Sequence, residues 1–185
     1  MKLLAFHAHS GDPLSMLIKA ATRSQYCHGA VLVDSPKWAE KFRQAYGLGD
    51  GLVIVEAYFP HVRARVLDAA ELPEIDVIEV IGGISCEVEE AAMQWAFNCC
   101  EAAVKYGIAD LFRFTAPGRA VLGENDDASF QRHTICSQFA FNVFRMGGLR
   151  LLNCHDYEVS PDKLAWSPLT QFGRKLQPIT TGGQA

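Results

Sequence analysis

The chain has 185 residues, of which 49% are hydrophobic and 21% are charged, and its formal net charge is -4. This length and composition are typical of a globular protein, so we expect residues 1–185 to form a single domain rather than a disordered or fibrous chain. Because the charge balance provides no overall basic field, we expect no nucleic-acid partner.

The first half of the chain is rich in short strand patterns. A short helix is predicted from Leu14 to Arg23, where apolar residues recur at helical spacing. The strands are predicted over Lys2 to Ala8, Gly29 to Val33, Leu52 to Tyr58, Arg63 to Val66 and Asp76 to Ile81. The second and third of these strands are expected to pair antiparallel across a polar, Gly-rich insertion from Asp34 to Gly51. Leu67 to Pro73 is predicted to be a connecting loop.

The second half is predicted to be mainly helical. One long apolar face runs from Glu87 to Gly107, and a second helix is predicted from Cys136 to Met146, closed by two glycines. Between them, Ala116 to Arg132 is rich in Gly, Asp and Asn and is predicted to be a loop. The tail after about Pro168 is weakly patterned, so we expect it to be loosely held.

The cysteines and the apolar segments bear on the compartment. The chain has six cysteines but no disulfide framework, since Cys99 and Cys100 are adjacent within a helical pattern. The stretch from Met1 to Phe6 has one positive charge and too short an apolar run for a secretory signal. No segment approaches about 18 uninterrupted apolar residues, so we expect no stable membrane insertion. We therefore predict a cytoplasmic protein with reduced thiols.

Cys136 stands at the predicted start of the second long helix. The unpaired N–H groups and positive dipole end of a helix lower the pKa of a thiol below its free value of about 8.5. The same N–H groups can hold a developing oxyanion. Cys136 is therefore a candidate nucleophile.

A candidate base and a candidate orienting group lie far upstream of Cys136. His28 opens the strand Gly29 to Val33, and antiparallel pairing with Leu52 to Tyr58 brings Glu56 close to it. A carboxylate bound to one imidazole nitrogen fixes the tautomer and turns the other nitrogen toward the thiol. We predict Cys136 as nucleophile, His28 as general base and Glu56 as the orienting residue.

Several short motifs occur in a characteristic order along the chain. They are Gly11-Asp12, His28-Gly29-Ala30-Val31, Val55-Glu56-Ala57, Tyr106-Gly107, Cys136-Ser137, and Ser160-Pro161 followed by Leu164-Ala165-Trp166-Ser167-Pro168. This order resembles the circularly permuted NlpC-type papain-like cysteine hydrolases (the YiiX/YaeF-like proteins), which are related to the lecithin:retinol acyltransferase-like proteins. Members similar to this chain often carry Glu-Leu after Cys-Ser, where this chain has Gln138-Phe139.

The resemblance implies an α+β, circularly permuted papain-like fold. In it, an antiparallel sheet or barrel from the N-terminal half packs against a catalytic helix from the C-terminal half. It implies attack on an amide or ester carbonyl through a thioacyl enzyme, with no cofactor. The implied substrate is a small peptide, an N-acyl compound or a lipid-like molecule, with contacts expected at Ser10, Asp12, Tyr106 and Ser137.

Other interpretations stay open at this point. The alternative for Cys136 is that it is a small buried hydrophobe in a noncatalytic lipid- or ligand-binding module of the same fold. Glu56 has the alternative of facing solvent on an edge strand beside Arg63 or Arg65. Cys27 adjoins His28, but adjacent strand residues point to opposite faces, so the two cannot easily serve one metal site. Cys27 is therefore expected to be a core residue.

A zinc site is a further alternative. His7 and His9 share one strand face and with a third ligand could bind the ion. No Cys-x-x-Cys or His-Glu-x-x-His spacing supports it, so we predict no metal. The oligomeric state is left open.

Overall fold

A computed structural model describes residues 1–7, 13–111, 114, 133–155 and 158–177. The strands in these residues are β1 (Lys2–His7), β2 (Tyr26–Leu32), β3 (Val53–Tyr58), β4 (His61–Val66), β5 (Ile75–Val80), β6 (Lys105–Tyr106), β7 (His133–Thr134) and β8 (Thr170–Phe172). The helices are α1 (Pro13–Thr22), α2 (Pro36–Tyr46), α3 (Cys86–Glu101), α4 (Ile108–Leu111), α5 (Cys136–Met146) and α6 (Pro161–Ala165), and a 3₁₀ helix spans Ala69–Glu74. The predicted mixed α+β class is confirmed. Among these helices, none has the length and apolar character needed to cross a membrane.

The described strands form one sheet in the order β7-β6-β4-β3-β2-β1-β5-β8. All neighbours pair antiparallel except β6 and β7, which are parallel. The predicted pairing of the second and third strands is confirmed, with Val31 opposite Val55. Because residues two apart share a face of a strand, this register makes His28 and Glu56 diagonal neighbours on one face.

Apolar side chains line both faces of the sheet. Along β1, Leu3 and Ala5 belong to one buried cluster, whereas Leu4 and Phe6 belong to another. This alternation is what a strand covered on both faces produces. The larger cluster includes the apolar side chains of α2, α3 and α5, so these helices cover one face of the sheet.

Helix α5 is the most buried helix of the described chain, and every residue from Cys136 to Phe144 is buried. It packs against β2, β3 and α3. The rings of Trp95 on α3 and Phe139 on α5 stack with centroids 5.7 Å apart. A helix that is buried on all sides needs cover on all sides, and the sheet and α3 provide most of it. This packing places the start of α5 against β2.

The expected polar insertion between β2 and β3 contains helix α2. Trp38, Ala39 and Phe42 of this helix are buried against the core. Pro36 occupies the first turn, and Gly47 closes the helix with a φ of 62°. The sequence analysis placed the insertion correctly but did not predict this helix, for which the helical spacing of Trp38 and Phe42 was the available signal.

Three other boundaries differ from the prediction. Helix α3 ends at Glu101, not Gly107, because Lys105–Tyr106 leaves it to pair with β4 and β7. The predicted loop after β4 holds the 3₁₀ helix, whose first N–H groups are capped by Asp68. The tail pairs with β5 through Thr170–Phe172 instead of being loose throughout. The predicted loop from Ala116 to Arg132 lies outside the described residues, as do residues 178–185 of the tail.

Candidate active site

Cys136 is the first residue of α5, and only 1% of it is exposed. As a first-turn residue, its own backbone N–H has no intrahelical acceptor. The backbone N–H groups of Gly29 and Ser137 donate hydrogen bonds to its sulfur. Burial by itself raises the pKa of the Cys136 thiol, but the charge and hydrogen bond of His28, together with these N–H groups, lower it below its ordinary value. The site therefore favours a thiolate.

His28 lies on β2 between Cys136 and Glu56. Its Nε2 is 2.9 Å from Oε2 of Glu56, which leaves Nδ1 for the hydrogen bond with Cys136. The rings of Phe6 and Tyr58 meet the imidazole edge to face, with centroids 5.2 and 5.9 Å away. Burial lowers the pKa of His28, but interactions with Cys136 and Glu56 outweigh it and raise this pKa to about 10. The surroundings therefore favour an imidazolium beside the thiolate.

Glu56 on β3 is fully buried, with 0% exposed. Its Oε1 accepts hydrogen bonds from Nε of Arg63 at 2.9 Å and from Nε of Arg65 at 2.8 Å. Burial raises the pKa of Glu56, whereas the bonds to His28 and Arg65 lower it well below its usual range. The alternative in which Glu56 faces solvent on an edge strand is wrong, because β3 is flanked by β2 and β4.

Arg65 connects Glu56 to a second carboxylate. Its Nη1 is 2.5 Å from Oε2 of Glu71, and its Nη2 is 2.9 Å from Oε1 of the same residue. Glu71 in turn accepts the backbone N–H of Asp68, which caps the 3₁₀ helix. The sequence analysis did not assign Arg65 or Glu71 to the site. The available signal was the Arg-x-Arg alternation on β4, which places two cations on the face shared with Glu56.

A cavity of about 400 Å³ opens beside these groups. It is lined by Phe6, Ser15, Ile18, Cys27, His28, Glu56, Tyr58, Phe59, Arg63, Arg65, Val66, Asp68, Glu71 and Tyr106. Cys136 is not one of these described lining residues. His28, which is hydrogen-bonded to the buried thiol, is one of them. The cavity wall combines aromatic rings with charged groups, as small-molecule sites commonly do.

Cys27 lines the cavity together with its neighbour His28, although simple strand alternation predicts opposite faces. The β1–β2 register shifts between Phe6 and His7, and this irregularity breaks the alternation. Cys27 is nevertheless buried, as predicted for a core residue, and its sulfur contacts the carbonyl oxygens of Phe6 and His7 at 3.5 and 3.3 Å.

Tyr106 lies on β6, beside Thr134 of β7, which is two residues before Cys136. Its ring is buried and lines the cavity, and its hydroxyl faces the sulfur of Cys136. Burial and the negative charge of Cys136 both raise the pKa of Tyr106, so the phenol stays protonated. The site therefore contains a buried O–H donor beside the thiolate.

The other three predicted substrate contacts have different outcomes. The hydroxyl of Ser137 is buried and donates to the carbonyl oxygen of Val159 at 2.6 Å, so only its backbone N–H reaches the sulfur of Cys136. Ser10 and Asp12 lie outside the described residues. The roles of these residues stay predictions.

The zinc alternative rested on His7 and His9. His7 binds Asp76 through Nε2 at 2.9 Å, and the hydroxyl of Tyr26 donates to the same carboxylate oxygen at 2.8 Å. His9 lies outside the described residues. Within the part of the chain that the structure describes, no three His, Cys, Asp or Glu side chains are grouped to hold a metal ion.

The chain resembles a known protein through its fold. Neither a protein-family model nor a curated protein matches it. A solved structure does match, the metalloprotein YiiX from Escherichia coli O157:H7, with a TM-score of 0.63 over 96% of this chain and 97% of that one. The two chains share a fold. At a sequence identity of 17%, the match shows the fold alone, and the chemistry of the site depends on the residues that this chain carries.

Proposed function

We propose that the protein is a papain-like thiol hydrolase that cleaves a small amide or ester through a thioacyl enzyme on Cys136. The observation that carries this proposal is the continuous hydrogen-bonded series from Glu56 through His28 to Cys136 at the start of a buried helix. A nucleophile, a base and an orienting group in this relation are what nucleophilic catalysis requires.

The proposed reaction has two stages. The Cys136 thiolate attacks the substrate carbonyl carbon, and the His28 imidazolium donates its proton to the leaving amine or alcohol. Water then attacks the thioester, with His28 as general base, and the acid product leaves as the thiolate is regenerated. The backbone N–H of Cys136 and the hydroxyl of Tyr106 supply hydrogen bonds to the oxyanion in both stages.

The order of these groups in the chain supports a circularly permuted papain-like arrangement, since the base strand precedes the nucleophile helix. A small peptide, an N-acyl compound or a lipid-like molecule remains the proposed substrate, with Ser10 and Asp12 as further contacts. The matching solved structure is that of a metalloprotein. The described residues of this chain form no metal-ligand group, and the proposed steps use no metal.

One observation favours a second candidate function. Cys136 is buried and does not line the described cavity. A noncatalytic module that binds a lipid or another ligand would have this property, because it needs the cavity but not the thiol. In that case, Cys136 would be an inert core residue.

The pH dependence of iodoacetamide modification at Cys136, followed by peptide mass spectrometry, separates the two candidates. We expect labelling to persist below pH about 7 in the parent protein and to be lost in His28→Ala, because an unperturbed thiol is protonated there. Cys27→Ala is the matched control, since this variant removes a thiol that lines the cavity beside His28 and should leave the profile unchanged. Labelling that begins only near pH about 8.5 in both parent and His28→Ala would favour the binding module.

A further inference from the structure

Arg63 and Arg65 both contact Glu56, but they use their guanidinium groups differently. The N–H donors of Arg65 are all engaged, by Glu56, by Glu71 and by the carbonyl oxygen of Val66. The side chain of Arg65 is 24% exposed. Arg65 therefore has no donor left for a ligand, and its contacts are those of a structural cation.

Arg63 has donors to spare. Its Nε and Nη2 both contact a single oxygen, Oε1 of Glu56, at 2.9 and 2.8 Å. Its Nη1 has no acceptor among the described residues, and 38% of the side chain is exposed. The guanidinium lies over the ring of Tyr58, 4.1 Å from the centroid, and the residue lines the cavity. A planar cation fixed by a carboxylate and an aromatic face is preorganised to bind an oxyanion.

The position of Arg63 relative to the reacting groups limits the ligand. Glu56 binds Arg63 through Oε1 and His28 through Oε2, so a single carboxylate group separates the guanidinium from the imidazole. An anion bound by Nη1 would therefore lie in the cavity, which His28 and Glu56 also line. The carboxylates facing this region are otherwise engaged: Glu71 binds Arg65, and Asp68 accepts the backbone N–H of Ala70.

We propose that Arg63 is the subsite for a substrate carboxylate, and that the substrates are small amides or esters that carry a carboxylate, such as an N-acyl amino acid. This inference rests on the proposed hydrolase function. It names the substrate class, which the triad geometry alone does not.

Two alkylating reagents that differ by one carboxylate test the subsite. Iodoacetate carries the negative charge and iodoacetamide is its neutral counterpart, and the measured quantity is the ratio of their rates at Cys136. We expect Arg63→Gln to lower this ratio about three- to tenfold, the range for a partly exposed, charge-assisted hydrogen bond. Because each variant serves as its own reference, a general change in thiol reactivity cancels in the ratio.

Three comparisons sharpen the test. Arg174→Gln removes an exposed cation that does not line the described cavity and should leave the ratio unchanged. The ratio at exposed Cys86 provides an internal reference within each sample. Arg63→Lys, which keeps the charge without the planar fork, should restore the ratio only in part.

A protection experiment distinguishes the sources of the anion. N-acetylglycine should slow iodoacetamide labelling of Cys136 more than N-acetylglycinamide or inorganic phosphate does. Equal protection by phosphate, or a ratio that is the same in the parent and Arg63→Gln, would overturn the carboxylate subsite while leaving the hydrolase proposal intact. If Cys136 reacts with neither reagent below pH about 7, the hydrolase proposal itself fails.

Discussion

Nε2 of His28 lies 2.9 Å from Oε2 of Glu56, and this contact sets the orientation of the imidazole. An ionised carboxylate only accepts hydrogen bonds, so His28 donates from Nε2 and presents Nδ1 to Cys136. Glu56 is held in turn by two arginines. The charge at the thiol therefore depends on a buried carboxylate two side chains away.

Glu56→Gln should weaken the thiolate without removing the shape of the side chain. The variant loses the negative charge that raises the pKa of His28, so the imidazolium that stabilises the thiolate is less populated. We expect iodoacetamide labelling of Cys136 at pH about 6 to fall about tenfold, corresponding to a change of one pKa unit. Arg174→Gln is the surface control. An unchanged rate in Glu56→Gln would show that Glu56 does not orient or charge the base.

The stability effect of Glu56→Gln should depend on pH in a definite direction. The folded-state pKa of Glu56 is lowered, so its contribution is fully present above the unfolded value of about 4.3 and is lost as the pH falls toward the folded value. Urea unfolding should show Glu56→Gln destabilised by about 3 kcal/mol at pH 7, since a buried ion network loses one partner. The difference should shrink at pH about 3. A deficit that grows with acidification would contradict this assignment.

Parts of this site follow from sequence patterns because those patterns are local. The helix starting at Cys136 and the two strands that carry His28 and Glu56 each show in a local pattern, and the structure brings these three side chains together. Whether they act in catalysis remains a prediction. The roles of Arg63 and Arg65 depend on the β3–β4 register, which places Glu56 opposite Arg63. Only Phe59 and Pro60 separate these strands, so the hairpin sets that register, but the sequence analysis began the second strand at Arg63 and did not predict the hairpin.

Other parts were missed because tertiary contacts override weak local signals. Lys105–Tyr106 is a two-residue strand, too short for any periodicity, and its neighbours β4 and β7 hold it. Helix α2 exists because Trp38 and Phe42 are covered by the core, among them by the ring of Phe97 on α3. Within Asp34 to Gly51, the helical spacing of Trp38 and Phe42 is a weak signal among many charged residues and glycines.

Tyr106→Phe should separate catalysis from folding. The hydroxyl is buried and has no acceptor among the described residues other than the sulfur of Cys136, so its removal leaves no protein donor unsatisfied and should change the unfolding free energy by less than about 1 kcal/mol. If the hydroxyl donates to the oxyanion, turnover of a model thioester or amide should fall about 10²-fold. Iodoacetamide labelling forms no oxyanion and should change far less than turnover does. Loss of labelling along with turnover would instead indicate that Tyr106 supports the thiolate.

Gly107→Ala should destabilise the junction that positions Tyr106 beside α5. A Cβ at Gly107 would overlap Oδ2 of buried Asp110 and would lie 3.1 Å from its Cγ and 3.2 Å from Nδ1 of His133. Those two side chains are hydrogen-bonded at 2.7 Å, so relieving the overlap disturbs a tight pair. We expect a loss of about 1–3 kcal/mol in the unfolding free energy, the usual cost of overpacking.

Gly49→Ala is the matched control for this change, since a Cβ there meets no atom within 4 Å. Denaturant unfolding of both variants at pH 7 gives the comparison, and Gly49→Ala should be within about 0.5 kcal/mol of the parent, as is usual for surface substitutions. Equal stability of the two variants would mean that Asp110 and His133 move aside at no cost. In that case, their hydrogen bond would contribute little to holding β6 and β7 next to the nucleophile helix.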